Sequence, residues 1–239
     1  DIYDAPETLG RGYAYQGDNE NLIINLPAEE MSLTADSEDF MKWLENSEHE
    51  ALSFPSRRVY GEYMHSSLMS FADAHSNINI IKKYADNIIF NEDKNTYTLC
   101  AGGNEQDYDA VYLTTGELSY SDPYELKGVS NYFYNPYPIE EKLNKLEGKI
   151  GIIGSGLSAI DSFRYLLLNG HEKVYVLSRS GEMPAVRGTY YDFKPEYFTL
   201  DAAFQYERDG LIPLDKLIGL FKKEMAAQQV DVSLFERKT

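Results

Sequence analysis

The chain has 239 residues, of which 43% are hydrophobic, so it can bury one large core or two smaller ones. Its formal net charge of −17 would repel nucleic acid and anionic membranes, which argues against both as partners. The single cysteine, Cys100, excludes an internal disulfide, and without a visible signal peptide or an apolar run of about 18 residues we expect a cytoplasmic protein that does not span a membrane.

The first 120 residues alternate strand-like and helix-like segments. The opening DIYD is typical of a short strand that ends in an acid, and a glycine loop follows it. Asp36 or Ser37 would cap a helix that contains Phe40. A longer helix is predicted after Pro55, and its inner face would carry Val59, Tyr63, Met64, Leu68 and Phe71. Beyond it the pattern predicts a strand, a β-meander and a buried strand over residues 110–113.

Residues 149–180 are the most informative stretch of the chain. An apolar run, a glycine turn, an amphipathic segment and a second apolar run follow one another there, in the order of a dinucleotide-binding strand–turn–helix–strand unit. Gly154 would permit the tight turn, Gly156 would let the backbone approach a pyrophosphate, and Ala159 would keep the helix close to the sheet. A doubly wound domain that binds no nucleotide is the alternative.

The flanks of this unit refine the prediction. The apolar face of its helix would consist of Ile160, Phe163, Leu166 and Leu167. Gly170 stands where a helix C-cap is expected. The second strand ends at Ser178 and Arg179, where an NAD site would usually carry an acid. A guanidinium and a hydroxyl suit a 2′-phosphate instead, so the sequence favours NADP over NAD, with a solvated arginine as the alternative for Arg179.

Other chemistry is not indicated by the sequence. The four histidines are scattered, so no metal site is predicted, and catalytic residues stay unknown. The many tyrosines and phenylalanines are more consistent with packing at a domain interface than with a substrate pocket. A last helix is predicted over residues 213–228, with its leucines on one face. The substrate and the oligomeric state do not follow from the sequence.

Seven motifs occur along the chain in an order typical of one family. They are GRGYAY (10–15), NLPAEEMSL (25–33), FPSRRVYGEYM (54–64), LTTG (113–116), NPYP (135–138), IIGSGLSAID (152–161) and VLSRSGEMP (176–184). Through them the chain resembles the FAD/NAD(P)-binding protein family, relatives of the flavin-containing and N-hydroxylating monooxygenases. The resemblance covers most of residues 1–230.

The resemblance implies an α/β protein with two Rossmann-like, three-layer dinucleotide-binding domains. Residues 1–120 would form a partial FAD-binding domain with a β-meander, residues 121–148 a connection, and residues 149–239 an NAD(P)-binding domain that is incomplete at its C-terminus. The family's glycine loop for the FAD pyrophosphate would precede the first residue, so the sequence is interpreted as an internal fragment of a longer flavoprotein.

The resemblance also implies two sets of cofactor-binding residues. The FAD set is Asp4, Arg11, Gly12, Asn25, Arg57, Arg58, Thr115 and Gly116. In it Asp4 would accept from the ribose hydroxyls, and one of Arg57 and Arg58 would face the flavin while the other is a solvated charge. The NADP set is Gly154, Ser155, Gly156, Leu157, Ser158, Ala159, Ser178 and Arg179.

The implied function is that of an FAD- and NADPH-dependent, monooxygenase-like oxidoreductase. Hydride would pass from NADPH to the flavin, and the electrons would pass on to O₂ or another acceptor. The expected partners are the nucleotide cofactors and a small-molecule substrate. A nucleotide-binding module without turnover, which senses redox state or docks to a partner, is the alternative.

Overall fold

A computed structural model describes residues 1–116, 121–184 and 194–230. The chain divides into two compact units, Asp1–Pro184 and Ala185–Thr239. The first unit contains the predicted FAD-type segment, the connection and the glycine-turn segment together. The predicted domain limits at residues 120 and 148 do not coincide with this division, and they stay a prediction.

Both units are built mainly from short elements. The strands are β1 (Ile2–Tyr3), β2 (Ile80–Ile81), β3 (Asn87–Asn91), β4 (Thr96–Ala101), β5 (Asn104–Tyr108), β6 (Ile150–Ile153) and β7 (Val174–Leu177). The helices are α1 (Asp39–Glu45), α2 (Arg57–Ala74), α3 (Ile139–Leu143), α4 (Leu157–Leu168), α5 (Leu200–Phe204) and α6 (Leu214–Ala227), with a 3₁₀ turn at Ala28–Glu30. The predicted α/β class is confirmed. None of the helices in the described ranges has the length and apolar character that crossing a bilayer requires.

Two parallel strand pairs and one meander make up the sheets of the first unit. β1 pairs with β2 in the register Ile2↔Ile80, with α2 between them in the chain. β6 pairs with β7 in the register Ile150↔Val174, with α4 between them. β3, β4 and β5 form an antiparallel sheet in that order, as the predicted meander requires.

The strand predicted over residues 110–113 is wrong. These residues have no regular structure, and Tyr112 and Leu113 are exposed, with 91% of Tyr112 accessible. A strand needs a neighbouring row of backbone partners. Among the described residues the β1–β2 sheet has only two strands, and neither pairs with this segment.

Helix α2 forms where the sequence predicts it. Ser56 caps it, because the Ser56 Oγ accepts a hydrogen bond from the Val59 backbone N–H. Val59, Tyr60 and Tyr63 are buried as the core face, but the prediction for Phe71 is wrong. Its side chain is 56% exposed, and its ring packs instead on His75 with the ring centroids 4.2 Å apart.

The predicted cap of α1 is also wrong. Glu38 is the N-cap residue, and its side chain makes no capping bond. Asp36 instead closes the preceding turn, where its Oδ1 accepts from the Glu38 N–H at 3.0 Å. Asp36 also forms an exposed ion pair with Lys42 of α1 at 2.7 Å.

Two hydrophobic clusters stabilise the first unit. One consists of Ile24, Ala28, Phe40, Leu44, Val59, Tyr60 and Tyr63. The other consists of Leu22, Ile139, Leu143, Tyr165 and Leu166. Leu22 and Ile24 are two residues apart and belong to different clusters. Segment 22–24 therefore lies where the core under α2 meets the core under α4.

The second unit is organised around one buried acid. The Oε2 of Glu224, on α6, accepts from the backbone N–H groups of Glu196, Tyr197 and Phe198 at 2.8, 2.6 and 3.0 Å. The predicted last helix is confirmed, since α6 spans Leu214–Ala227. α5 begins with a Thr199 cap, whose Oγ1 accepts from the Ala202 N–H.

Candidate functional site

The predicted strand–turn–helix–strand order is confirmed around Gly154. Gly154 has φ of +109°, which favours glycine, and its N–H donates to the Leu177 carbonyl at 2.7 Å. Gly156 is the N-cap residue of α4. A Cβ placed on either glycine would meet no heavy atom within 4 Å, so the turn faces open space. That space lies at the N-terminus of a 12-residue helix, whose free N–H groups and dipole favour a phosphate.

The end of α4 has the predicted glycine. Gly170 has φ of +84° and donates its N–H to the Leu167 carbonyl at 3.0 Å. The N–H of His171 reaches the Leu166 carbonyl at 3.0 Å. These two bonds form a Schellman motif, which ends the helix and turns the chain toward β7.

The buried face of α4 differs from the predicted apolar face. Leu166 is buried, but Leu167 is exposed, and Ile160 and Phe163 are only half-buried. Two polar residues, Asp161 and Ser162, take the inner positions instead. Their burial is possible because both are hydrogen-bonded; the Ser162 Oγ, for example, donates to the Ser158 carbonyl at 2.9 Å.

Ser178 and Arg179 follow β7 directly, at the carboxyl end of the strand where the ribose prediction places them. The Ser178 Oγ donates to the Glu182 carbonyl at 3.4 Å. Arg179 is exposed. The backbone thus puts both residues beside the glycine turn at one end of the β6–β7 pair, and their role toward a 2′-phosphate stays a prediction.

One cavity of about 320 Å³ brings members of both predicted sets together. Asn25, Arg57 and Arg58 from the FAD set line it, and so do Leu157 and Ser158 from the NADP set. Three tyrosines and two acids also line it: Tyr13, Tyr15, Tyr137, Asp18 and Asp161. Its charged lining is two arginines and two aspartates, so the formal charges cancel.

Arg57 is the more buried of the two arginines. Its Nη1 lies 2.8 Å from the Asp161 Oδ2, with 16% and 10% of the two side chains exposed. Its Nε donates to the Ile23 carbonyl at 3.1 Å. Burial lowers the pKa of Arg57, but the Asp161 carboxylate and the Tyr137 hydroxyl together outweigh burial, and the net pKa is raised. The guanidinium therefore stays charged in the cavity wall.

Tyr137 shares the same carboxylate oxygen. Its hydroxyl donates to the Asp161 Oδ2 at 2.5 Å. Burial, and then the hydrogen bond to Asp161, raise the pKa of Tyr137, so the phenol remains protonated at neutral pH. The Asp161 carboxylate is thus held by one cation and one neutral donor, which explains how an acid is tolerated inside α4.

Arg58 is more exposed and is paired with other acids. It contacts Glu20, and its Nη1 lies 2.8 Å from the Glu62 Oε1, with Glu62 in turn 2.8 Å from the His49 Nε2. The sequence left open which arginine faces the cavity. Both line it, and each already has a carboxylate partner from this chain.

Two structural contacts around the cavity were not predicted. Asp18 caps α3 from a distant part of the chain, with its carboxylate accepting from the Ile139 N–H at 2.8 Å and the Glu140 N–H at 3.2 Å. Gly61 lets α2 approach the loop before it, because a Cβ there would lie 1.9 Å from the Tyr15 carbonyl oxygen. Two sequence signals were available for these contacts. A helix that starts after a proline and has no capping residue of its own could indicate a distant cap, and a glycine inside a helix could indicate a close backbone contact.

The other residues of the FAD set do not line the cavity. The Asp4 Oδ1 accepts from the Ala5 N–H at 2.8 Å and from the Thr8 hydroxyl at 2.7 Å, just after β1. Gly12 has φ of +61°, and the Arg11 N–H donates to the Thr8 carbonyl. The residues Thr115 and Gly116 are exposed after the irregular segment 110–113.

No clustered metal ligands accompany these residues. Across the described parts of the chain, no group of three or more His, Cys, Asp or Glu side chains has a geometry that could hold a metal ion.

The paired parallel strands, the glycine turn and the helix between them define an α/β protein, and they follow one another in the order typical of a dinucleotide-binding unit. Residues 1–118 match the model of a family described as FAD-NAD(P)-binding. The resemblance drawn from the sequence motifs is confirmed. No curated protein matches the chain.

The fold is similar to that of a solved structure, OTEMO in complex with FAD and NADP. The TM-score is 0.50 at 15% sequence identity, over 74% of this chain and 33% of the other. The chain therefore spans about one third of the length of that protein.

Proposed function

We propose that this chain is part of an FAD- and NADPH-dependent oxidoreductase of the monooxygenase-like type. The observation that carries the proposal is the shared cavity, which is lined by Asn25 and Arg57 of the predicted FAD set and by Leu157 and Ser158 of the predicted NADP set. Residues 1–118 match a FAD-NAD(P)-binding family, which supports the first cofactor. A cavity shared by two cofactor sites is what transfer between two bound rings requires.

The lining of the cavity suits the uncharged ring of a cofactor better than its phosphates. The charges of Arg57 and Asp161 offset each other, and Arg58 is paired with Glu20 and Glu62. Tyr13, Tyr15 and Tyr137 offer aromatic surface and hydroxyl groups. A neutral planar ring with polar edges would find both apolar contact and hydrogen-bond partners there.

The phosphates of NADP would be held outside this cavity. The N–H groups at the start of α4 and the open space before Gly154 and Gly156 fit a pyrophosphate. Ser178 and Arg179 would take the 2′-phosphate, since a guanidinium forms charge-assisted hydrogen bonds with phosphate. In a chain of net charge −17, such local cations matter for binding an anion.

The residues expected to hold FAD are those of the first set. Asp4 would accept hydrogen bonds from the ribose hydroxyls. Arg11 and Gly12 would lie in a loop that passes the FAD, where the guanidinium could neutralise a phosphate. Thr115 and Gly116 would let the backbone run close to the cofactor. We further propose that residues 1–120 are the FAD-binding part, 121–148 the connection and 149–239 the NAD(P)-binding part. The two binding parts would each have a Rossmann-like three-layer arrangement.

The flavin, when bound, would supply the redox chemistry by taking a hydride from NADPH and passing electrons to O₂ or another acceptor. The residues of this chain would bind and orient the rings. Asn25 and Ser158 would contact ring edges, while Arg57 and Tyr137 would keep the wall of the cavity rigid through Asp161. The substrate would be a small molecule.

The experiment is anaerobic addition of NADPH to the full-length protein that contains this chain. We expect the flavin absorption at long wavelength to bleach, and NADH to act more slowly. A protein that binds NADP⁺ with thermal stabilisation, yet leaves its flavin oxidised and consumes no NADPH with any acceptor, would instead be the non-catalytic nucleotide-binding module.

A further inference from the structure

A continuous set of polar contacts joins the glycine-turn helix to segment 23–25, which also contributes to the cavity lining. Asp161 lies in the second turn of α4, four residues after Leu157. Its Oδ2 is 2.8 Å from the Arg57 Nη1, and the Nε of the same arginine is 3.1 Å from the Ile23 carbonyl oxygen. One guanidinium therefore contacts α4 and segment 23–25 at the same time.

Segment 22–25 is fixed to the start of α2 by its backbone as well. The Arg57 N–H donates to the Leu22 carbonyl at 2.7 Å, and the Ile24 N–H donates to the Pro55 carbonyl at 3.0 Å. The next residue, Asn25, lines the cavity. A shift of the Arg57 side chain therefore acts on a segment with few degrees of freedom, and the displaced residue is one expected at the flavin.

We propose that Asp161 is a positioning residue that couples nucleotide binding at the glycine turn to the placement of segment 23–25 through Arg57. The inference rests on the proposed function, since it takes the turn at 154–159 as the NADP site. It adds a role for a buried acid that neither cofactor set contains. The nucleotide would order the first turn of α4, and Asp161, one turn further, would transmit that order to Arg57.

Burial and shared bonding make this route effective. Asp161 and Arg57 are nearly closed to solvent, so their interaction is weakly screened. The Tyr137 hydroxyl further restrains the Asp161 carboxylate by donating a hydrogen bond to the same oxygen, Oδ2. A coupling between two sites is reciprocal, so a change at segment 23–25 is expected to alter nucleotide binding at the glycine turn as well.

The test compares Asp161→Asn, Arg57→Gln and the double variant, with NADP⁺ binding measured by titration calorimetry and thermal unfolding measured in parallel. We expect each single variant to weaken NADP⁺ binding on the order of tenfold. The double variant should bind NADP⁺ no more weakly than the single variant that has the lower affinity, because both changes break the same connection. Arg57 lies on α2 and outside the predicted NADP set. A loss of NADP⁺ affinity in Arg57→Gln is therefore the result that specifically supports the coupling.

Glu62→Gln is the matched control. It removes an acid partner from the neighbouring Arg58 on the same helix, without touching α4. We expect its NADP⁺ affinity to equal that of the unmodified protein. Arg57→Lys provides a second variant that keeps a positive charge near Asp161 but lacks the Nε donor to Ile23, and we expect it to restore part of the affinity.

The outcomes separate the two proposals. If the unmodified protein binds NADP⁺ and Arg57→Gln binds it equally well, the coupling is overturned while the proposed function stands. Additive losses in the double variant, or a fall in unfolding temperature without any change in affinity, would also overturn the coupling. If the unmodified protein does not bind NADP⁺, the proposed function fails and the coupling fails with it.

Discussion

The Arg57 Nη1 lies 2.8 Å from the Asp161 Oδ2, so an ion pair joins α2 to α4 in the wall of the cavity. Both side chains are largely withdrawn from water, with 16% of Arg57 and 10% of Asp161 exposed. Removing one partner would leave a buried charge without compensation, which is the costly way to break such a pair.

Asp161→Ala is therefore expected to destabilise the first unit by about 3 kcal/mol. Urea unfolding at neutral pH would measure this loss. The control is Asp36→Ala, which removes the partner of Lys42 in a pair whose side chains are each about half exposed. Because exposed pairs contribute little, its cost should stay below about 1 kcal/mol. Equal costs for the two variants would contradict the role given to Asp161.

Gly61→Ala should destabilise the protein although alanine favours helices. The added Cβ would lie 1.9 Å from the Tyr15 carbonyl oxygen, and relief requires α2 and its neighbouring loop to separate. We expect a loss of about 2–3 kcal/mol, as for other overpacked sites. Gly219→Ala in α6 is the matched control, since a Cβ there meets nothing within 4 Å. It should be neutral or stabilise by about 0.5–1 kcal/mol, and thermal unfolding of both variants decides.

Arg179→Ala should weaken NADP⁺ binding on the order of tenfold and leave NAD⁺ binding unchanged, because only NADP carries the 2′-phosphate that a guanidinium would pair with. Titration with both nucleotides measures the ratio. Lys173→Ala is a suitable control, since Lys173 precedes β7 at the opposite end of the strand from Arg179. A variant that loses affinity for both nucleotides alike would argue against Arg179 as the residue that selects NADP.

Glu224 makes the stability of the second unit depend on acid pH. Burial opposes ionisation of this carboxyl, but hydrogen bonds from Gln228 and from three backbone N–H groups prevail and lower its pKa from 4.5 to about 2. A lowered pKa gives a stabilisation that is complete above the unfolded-state pKa, about 4.3 for glutamate. It is then lost as the pH falls through the folded-state pKa.

We therefore expect the unfolding temperature of this unit to fall between about pH 4.3 and pH 2. Glu224→Gln should lower it at neutral pH and flatten the dependence in this window. The natural comparison is Glu207→Gln, at a solvent-exposed acid of the same unit. If the unfolding temperature of Glu224→Gln fell with pH as steeply as that of the unmodified chain, the acid dependence would arise from a group other than Glu224.

The elements that were predicted well are those whose signal is local. The glycine at the end of α4, the turn at Gly154 and the long amphipathic pattern of α6 each lie within one stretch of sequence, so pattern and structure agree. The segment 110–113 was assigned wrongly because its apolar character says nothing about whether a partner strand lies beside it.

The cavity could be predicted only in part for the same reason. Arg57 and Asn25 were named from their motifs, but their connection to Asp161 depends on residues that are far apart in the chain. The helical pattern of α4 also favoured an apolar inner face, and nothing local indicates that an acid there would meet a guanidinium and a phenol. Tertiary partners, which no single-sequence pattern encodes, decide such positions.

Leu22 and Ile24 belong to two different hydrophobic clusters, which limits how the protein can be taken apart. Leu22 fills a place among Ile139, Leu143, Tyr165 and Leu166, although it comes from the opposite half of the sequence. A graft of the glycine-turn region alone into another protein would carry a hole the size of a leucine side chain. The glycine-turn region would need residues 19–25 to be transplanted with it.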